Sequence, residues 1–185
     1  SFFENSELAS SGIPEGKEYN LLQNIETRND QLLPPKVYTM EYNPPKTDGS
    51  GFMRKELQKA TLLLNQAGWE LIEGKLTHIE SNQQFEFEIL LVSPAFERIV
   101  LPFKDNLEKL GITVSVRTID SAQYQKRLES FEFDMVVSTF RQSLSPGNEQ
   151  RNFWGSDAAD TNGSRNIIGI KNDVIDLLIE KIISA

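Results

Sequence analysis

Hydrophobic and polar positions follow two different periods along the middle of the chain. A period of two over residues 85–91 predicts a strand, and the wholly apolar residues 90–92 indicate that it enters a buried position. Similar short strands are predicted at residues 112–116 and 134–138. Between the three strands, steps of three and four residues predict two helices. The expected unit is βαβαβ, with right-handed crossovers and a sheet that is at least partly parallel.

The same spacing predicts which side of each helix is buried. The first crossover helix, capped by Ser93 and opened by Pro94, should bury Phe96, Ile99, Phe103, Leu107 and Leu110 and kink at Pro102. The second, capped by Asp120 or Ser121, should bury Tyr124 and Leu128. An earlier helix, capped by Asp48 or Ser50 and ending at Gly68, should bury Met53, Leu57, Ala60, Leu64 and Ala67. A last helix, capped by Asn172 or Asp173, should bury Val174, Leu178 and Ile182.

Residues 1–51 have the character of an extended connecting segment. Two proline pairs, at residues 34–35 and 44–45, favour extended backbone because proline restricts the residue before it. We expect Lys36 to Tyr42 to be extended. A short helix is predicted from Pro14 to about Glu26, since Tyr19, Leu22 and Ile25 share one side of it.

Composition narrows the class of function. Of the 185 residues, 38% are hydrophobic and 25% are charged, which is typical of a folded chain with a core. The formal net charge is −8 and no basic stripe occurs, so a nucleic-acid partner is not expected. There is no cysteine, which is mildly compatible with an oxidising compartment.

Motifs for catalysis and for cofactors are not found in the sequence. The single histidine, His78, lies in what we interpret as a polar connection before the first strand, and a surface role is favoured over a catalytic one. Residues 12–17 read GIPEGK, one residue short of a phosphate-binding loop. Glu86 and Glu88 share one strand face, which is usually a solvated face. We therefore predict no enzyme activity, no catalytic residues, no metal site and no cofactor.

The remaining candidate for function is the segment after the third strand. In open α/β sheets, ligands bind beyond the carboxyl ends of the strands. The residues proposed to bind a ligand there are Arg141, Gln142, Ser143, Ser145, Asn148, Phe153 and Trp154. An alternative of about equal weight is a solvated loop that two buried aromatic side chains anchor.

Several distinctive runs occur in one order over nearly the whole chain. They read SFFENSELASSGIPEG, PPKTDGSG, LLNQAGW, FEFEILLVSPAFERIVLPFKDNLEKLGITVSVRTID and FDMVVSTFRQSLSPGNEQRNFWGS. Together they resemble the family 5 extracellular solute-binding proteins, the peptide-binding components of bacterial ABC transporters, and within them the YejA-type branch. Several spaced motifs in a fixed order are more specific than any one of them.

The resemblance implies a fold, a partner and a place in the cell. The fold is one lobe of a type II periplasmic binding protein, a mixed sheet with flanking helices, and this chain would be a fragment with most of the C-terminal lobe. Residues 52–140 would form the α/β lobe, and residues 141–185 a hinge-proximal binding loop with a return helix. The whole protein would bind oligopeptides in the periplasm and deliver them to an inner-membrane ABC permease. We expect the whole protein to be monomeric and the separate chain, which stops within a helix, to self-associate.

One departure from the family pattern concerns the amino terminus of the ligand. Members that bind free peptides resemble one another in an acidic residue of this loop, which pairs with the α-amino group. Here residues 141–150 contain no aspartate, and their one acid, Glu149, comes late. Ser143 and Ser145 stand near the expected position. We hypothesise that the ligand is an N-blocked or otherwise modified peptide.

Two alternatives from other functional classes remain open. A cytosolic flavodoxin-like signalling or nucleotide-binding domain would need a glycine-rich or acidic cluster after the first strand, and residues 92–94 supply neither. A non-binding interaction domain would dock a partner through its sheet or through helix 173–183.

Overall fold

The secondary structure alternates between helices and short strands along most of the chain. The structure, a computed structural model, describes residues 12–29, 33–43, 46–141 and 145–184. The helices are α1 (Gly16–Asn29), α2 (Lys36–Thr39), α3 (Arg54–Gln66), α4 (Glu97–Glu108, preceded by a 3-10 turn at Pro94–Phe96), α5 (Ser121–Glu129), α6 (Glu149–Trp154), α7 (Ser156–Ala159) and α8 (Asp173–Ile183). The strands are β1 (Trp69–Ile72), β2 (Lys75–His78), β3 (Glu86–Leu91), β4 (Thr113–Thr118) and β5 (Met135–Val136).

The βαβαβ unit is confirmed, and its three-stranded sheet is parallel. β3 lies in the middle, with β4 on one side and β5 on the other. Ile89, Leu90 and Leu91 are almost fully buried, because a central strand covered on both faces has no solvent side. The predicted third strand, residues 134–138, is longer than the observed one. β5 pairs with β3 only at Met135 and Val136.

The sequence pattern did not predict the antiparallel hairpin of β1 and β2. Its strands have only four residues each, and Glu73 and Gly74 form the turn with φ angles of 51° and 82°. His78 therefore ends a strand, and its placement in a polar connection was wrong. Its ring is half-buried and lies 5.1 Å from the ring of Trp69 in an edge-to-face contact. A structural role accounts for this histidine.

Gly111 joins the hairpin to the main sheet. Its carbonyl oxygen accepts a hydrogen bond of 2.7 Å from the backbone N–H of Leu76 in β2. A Cβ atom at this position would lie 2.3 Å from Cδ1 of Leu71 and 2.8 Å from the backbone nitrogen of Leu76. The φ angle is +83°, which favours glycine. Only glycine lets the end of α4 approach the hairpin this closely.

The predicted helix ends agree with the structure where a side chain caps the helix. Asp120 accepts from the N–H groups of Ala122 and Gln123, and Asn172 from those of Val174 and Ile175. Ser93 accepts from the N–H of Ala95 and caps the 3-10 turn before α4, whose own N-cap is Phe96. The prediction for α3 was wrong, because its N-cap is Met53. Asp48 and Ser50 instead bond to each other in a turn before the helix.

Contrary to the prediction, α3 has no buried residue, and its Ala67 is exposed. Two further predicted buried faces were partly wrong. In α4, Ile99 and Phe103 are 40% and 44% exposed, and Val100 is buried instead. Ile182 of α8 is 43% exposed, and Ile179 is buried in its place. The buried faces of α4 and α8 are thus rotated from the predicted ones. Two neighbouring stripes of hydrophobic residues on each helix satisfy a spacing of three or four residues, so the spacing does not choose between them. Tyr124 of α5 is buried as expected, and Leu128 is half-buried.

Glu88 does not lie on a solvated face as its spacing suggested. Its carboxylate accepts a 2.8 Å hydrogen bond from Arg127 of α5, and Arg117 of β4 lies at 3.8 Å. Glu86, two residues earlier, is exposed as expected. The half-buried Glu88 thus connects the central strand to the helix that leads to β5.

The first part of the chain contains more helix than predicted. The helix expected near residues 14–26 is confirmed as α1. Its Ile25 is buried, and the helix packs against α8. The extended conformation expected for Lys36 to Tyr42 was wrong for its first half, which is α2. The prolines permit this turn, because a proline at a helix start needs no N–H and its carbonyl still accepts a bond. Pro34 accepts from the N–H of Val37 at 2.9 Å.

Asn166 organises the chain between α6 and α8. It is 1% exposed. Its Nδ2 donates to the carbonyl oxygens of Gly155 and Ile170 at 2.9 and 2.8 Å, and its Oδ1 accepts from the N–H of Ile170 at 2.9 Å. One side chain therefore satisfies three backbone groups of Gly155 and Ile170, which both lie outside the helices.

We predict that Gly111→Ala lowers the free energy of unfolding by about 2–4 kcal/mol, because backbone strain and overpacking add. Gly74→Ala is the matched control, since Gly74 has a φ of +82° and no atom near its would-be Cβ. It should cost only about 1 kcal/mol. Urea unfolding measures both values, and equal losses would contradict the close approach at Gly111.

We predict that Asn166→Ala lowers the free energy of unfolding by about 3 kcal/mol, because it leaves three backbone groups without their partner. Asn162→Ala, at an exposed position of the same segment, is the control and should change little. Urea unfolding followed by tryptophan fluorescence, in a Trp69→Phe background so that Trp154 gives the signal, reports on this region. An Asn166→Ala protein as stable as the control would show that water replaces the side chain.

Candidate functional site

A cleft of about 450 Å³ lies beside the segment that leaves β5. One wall is the last turn of α5, with Gln125 and Glu129, and another is the stretch from Ser138 to Arg141. The lining is completed by Leu128, Phe153, Gly163, Ser164, Arg165 and Ile167. The cleft thus lies beyond the carboxyl end of β5. No described residue from the carboxyl ends of β3 or β4 contributes to it.

The backbone along this cleft has unused hydrogen-bonding groups. Pairing with β3 ends at Val136, and the carbonyl of Val137 accepts a 2.8 Å bond from the hydroxyl of Tyr124. Within the described parts of the chain, no hydrogen bond engages the backbone of Ser138, Thr139 or Phe140. An N–H or C=O group without a protein partner needs another one. These three residues can supply main-chain bonds to a ligand.

Tyr124 determines how the chain leaves the sheet. Burial raises the pKa of its hydroxyl, so the group stays protonated and keeps donating to Val137. The ring lies in the core on α5, and the bond therefore fixes the start of the open segment relative to that helix.

The cleft carries two cationic side chains and one acidic one. Arg141 follows the open segment, and Arg165 enters from the chain after α7, with its guanidinium carbon 5.3 Å from the centre of the Phe153 ring. Neither guanidinium has a carboxylate partner among the described residues. Glu129 is the acidic side chain, and its Oε1 accepts a 3.1 Å bond from Gln125.

Three aromatic rings support one side of the cleft. The ring centre of Phe140 lies 5.9 Å from that of Phe153 and 4.8 Å from that of Trp154. Phe153 is only 3% exposed, and the indole N–H of Trp154 donates to Oε1 of Gln150 at 3.0 Å. These contacts favour the anchoring role that the sequence left open for the aromatic pair. Phe153 still contributes to the wall of the cleft.

An ion pair attaches α6 to α8. Arg151 donates two bonds of 2.6 Å to the carboxylate of Glu180 and a third of 2.6 Å to Oδ1 of Asn148. The hydrogen bonds from Arg151 lower the pKa of Glu180. Both side chains are about half-exposed, so water and salt screen the pair. Its geometric effect, which is to orient α6, is more important than its energy.

The structure distributes the predicted site residues over several places. Arg141 and Phe153 line the cleft, whereas Asn148 bonds to Arg151 and Trp154 to Gln150. Ser145 is exposed in the loop before α6. Gln142 and Ser143 lie outside the described residues.

Sequence reasoning missed Glu129 and Arg165, which line the cleft from α5 and from the segment after α7. No spacing in the sequence connects them with Arg141, because they come from other elements and only the tertiary structure brings them together. Over the described residues, no group of three or more His, Asp or Glu side chains is placed to hold a metal ion. No described helix is long and apolar enough to cross a membrane.

Known relatives match the whole chain but extend well beyond it. The chain is 44% identical over 185 residues to a probable peptide-binding protein, YejA, of Agrobacterium fabrum, and it covers 30% of that protein. It is 36% identical over 186 residues to the peptidoglycan-binding protein YepA of the same organism, of which it covers 29%. In both matches the chain is covered completely. The chain therefore spans less than a third of the length of these relatives.

A solved structure shows the same fold. The oligopeptide-binding protein AppA of Bacillus subtilis, in complex with a nonapeptide, matches 69% of this chain with a TM-score of 0.58. The match is 23% identical and covers 25% of AppA. The fold is thus the α/β lobe of a type II periplasmic binding protein, as the sequence predicted.

A family model decides the relationship. The model for the middle part of the bacterial extracellular solute-binding proteins, family 5, matches residues 19–162. This range includes every described strand and the cleft residues from Gln125 to Phe153. The cleft residues outside it are Gly163, Ser164, Arg165 and Ile167. The chain therefore belongs to the family 5 bacterial extracellular solute-binding proteins.

Proposed function

We propose that the chain is part of the substrate-binding component of a bacterial ABC transporter. The whole protein binds oligopeptides in the periplasm, without catalysis, and delivers them to an inner-membrane permease. Family membership and the relative described as a probable peptide-binding protein support this proposal. The observation in the structure that carries it is the open backbone of Ser138, Thr139 and Phe140 beside the cleft.

An open backbone segment is suited to a peptide. Peptide ligands that add to an exposed edge bond through their main chain, which every sequence shares. Side-chain preference then depends on the pockets around the main chain. A cleft with three open peptide units can therefore hold oligopeptides of varied sequence.

The remainder of the protein has a role in this proposal. In a two-lobed binding protein, closure of the lobes buries the ligand and a hinge absorbs the rotation. Residues 52–140 would form the lobe seen here, and residues 141–185 would lead toward the hinge and the other lobe. The whole protein would act as a monomer.

Peptidoglycan fragments are a second candidate for the ligand. The relative described as peptidoglycan-binding favours them. Such fragments contain short peptides whose amino terminus is joined to a sugar through an amide bond. They would use the same open backbone, and they are N-blocked.

A blocked amino terminus also agrees with the charges of the cleft. Arg141 and Arg165 outnumber Glu129, so the field does not favour an ammonium group there. We therefore propose that N-blocked peptides bind at least as well as free ones. Glu129 is the residue through which a free α-amino group could be held instead.

Mass spectrometry of material that co-purifies with the full-length protein tests the proposed function directly. We expect oligopeptides or peptide-bearing peptidoglycan fragments. The two differ by the mass of the attached sugar. Recovery of a ligand without peptide bonds would contradict the proposal.

We predict that Thr139→Pro weakens binding of all peptides by roughly threefold to tenfold, because it removes one main-chain donor. Thr139→Ala keeps the backbone N–H and is the matched control. Calorimetry of the full-length protein with several unrelated peptides measures the effect. Equal binding by both variants would show that this backbone does not contact the ligand.

We predict that N-formylated peptides bind the full-length protein as tightly as matched free peptides or more tightly. Glu129→Gln should leave this ratio unchanged, as should the control Glu132→Gln, which alters an exposed acid outside the cleft lining. Calorimetry with each peptide pair gives the ratio. A strong preference for the free amine would contradict the prediction, and its loss in Glu129→Gln would assign that preference to the Glu129 carboxylate.

A further inference from the structure

The two arginines of the cleft are unusual in this acidic chain. The formal net charge is −8, and carboxylates engage Arg117, Arg127 and Arg151. Arg141 and Arg165, by contrast, have no carboxylate partner within the described residues and line the same cleft. Two cations without a carboxylate partner among the described residues line this one cavity, which suits it to an anion.

The surroundings hold one of these cations in place. The Arg165 guanidinium lies over the ring of Phe153, which is buried and packed against Phe140. Its backbone N–H donates to Oδ1 of Asn152 at 3.2 Å. A guanidinium over an aromatic face retains the N–H donors along its edge, and these match the two oxygens of a carboxylate. Arg165 is therefore oriented before any ligand arrives.

The one acid of the cleft does not neutralise the pair. Glu129 accepts its hydrogen bond from Gln125, and it lies beyond salt-bridge distance of both arginines. The side chains that line the cleft thus carry two positive charges and one negative charge. A ligand with a carboxylate would balance this excess.

We propose that Arg141 and Arg165 bind an acidic side chain of the peptide ligand, so that the site selects acidic peptides. This inference rests on the proposed function, because it places the carboxylate on a peptide whose main chain bonds to Ser138, Thr139 and Phe140. The peptide's C-terminal carboxylate is a competing source of the same group, and the experiment distinguishes the two. Both sources present the same planar group to the guanidinium donors.

The test uses the full-length protein and calorimetry with N-formylated peptides of one sequence. One peptide has a free C-terminus and neutral side chains, and the second is its C-terminal amide. The third is an amide with one glutamate, and the fourth replaces that glutamate with glutamine. We expect the glutamate peptide to bind about tenfold or more tightly than its glutamine counterpart. A difference confined to the free C-terminus and its amide would overturn the inference, because the site would then take the terminal carboxylate.

Arginine variants assign the preference to this cleft. Arg141→Gln and Arg165→Gln should each reduce it, and the double variant should bind acid and uncharged forms equally. Arg165→Lys keeps the charge but loses the planar fork, and it should retain part of the preference. Arg54→Gln, which removes the same charge from the start of α3 outside the cleft, should leave the preference intact. Thermal unfolding of each variant shows whether it is folded.

The outcomes separate the inference from the proposed function. If wild-type protein binds acid and uncharged peptides equally, the inference is overturned while peptide binding stands. The same holds if the double variant is folded and keeps the full preference. If wild-type protein binds none of the four peptides or any other oligopeptide, the proposed function fails and the inference fails with it. Loss of the preference for acidic peptides at high salt would support the inference, because salt screening weakens ion pairs.

Discussion

The short pairing between β3 and β5 is the constraint on which the rest of the site depends. β3 is buried on both faces and needs a neighbour on each side, but β5 contributes only Met135 and Val136. Beyond them the chain leaves the sheet with peptide groups that the described structure does not satisfy. In a longer β5 these groups would pair with β3, and they would no longer be open to a ligand.

The helices and loops around this opening make it a defined surface. Tyr124 holds the start of the open segment against α5, and the Phe140, Phe153 and Trp154 rings support its end. Asn166 secures the irregular chain that brings Arg165 to the cleft. Binding residues on loops act reproducibly only when a rigid framework holds the loops. Here buried polar contacts supply part of that framework.

Prediction from sequence succeeded where local patterns are unambiguous. Caps at Ser93, Asp120 and Asn172 mark helix starts because their short polar side chains satisfy nearby N–H groups. It failed where two solutions have the same local pattern. Val100 rather than Ile99 is buried, since both stripes of α4 satisfy the helical period and packing against the sheet decides between them. The hairpin of β1 and β2 was missed because its four-residue strands give too short a period to recognise.

The sequence by itself determined the βαβαβ unit with a sheet that is at least partly parallel, the family, and the approximate place of a candidate binding segment after β5. These follow from local periodicity, capping and ordered motifs, all of which are encoded over short stretches of chain. Only the tertiary structure decided that Glu129 and Arg165 share a cleft with Arg141, and that Asn148 and Trp154 bond within their own segment. The physical reason is that the charges and donors of a site come from elements distant in sequence, and packing alone sets their distances.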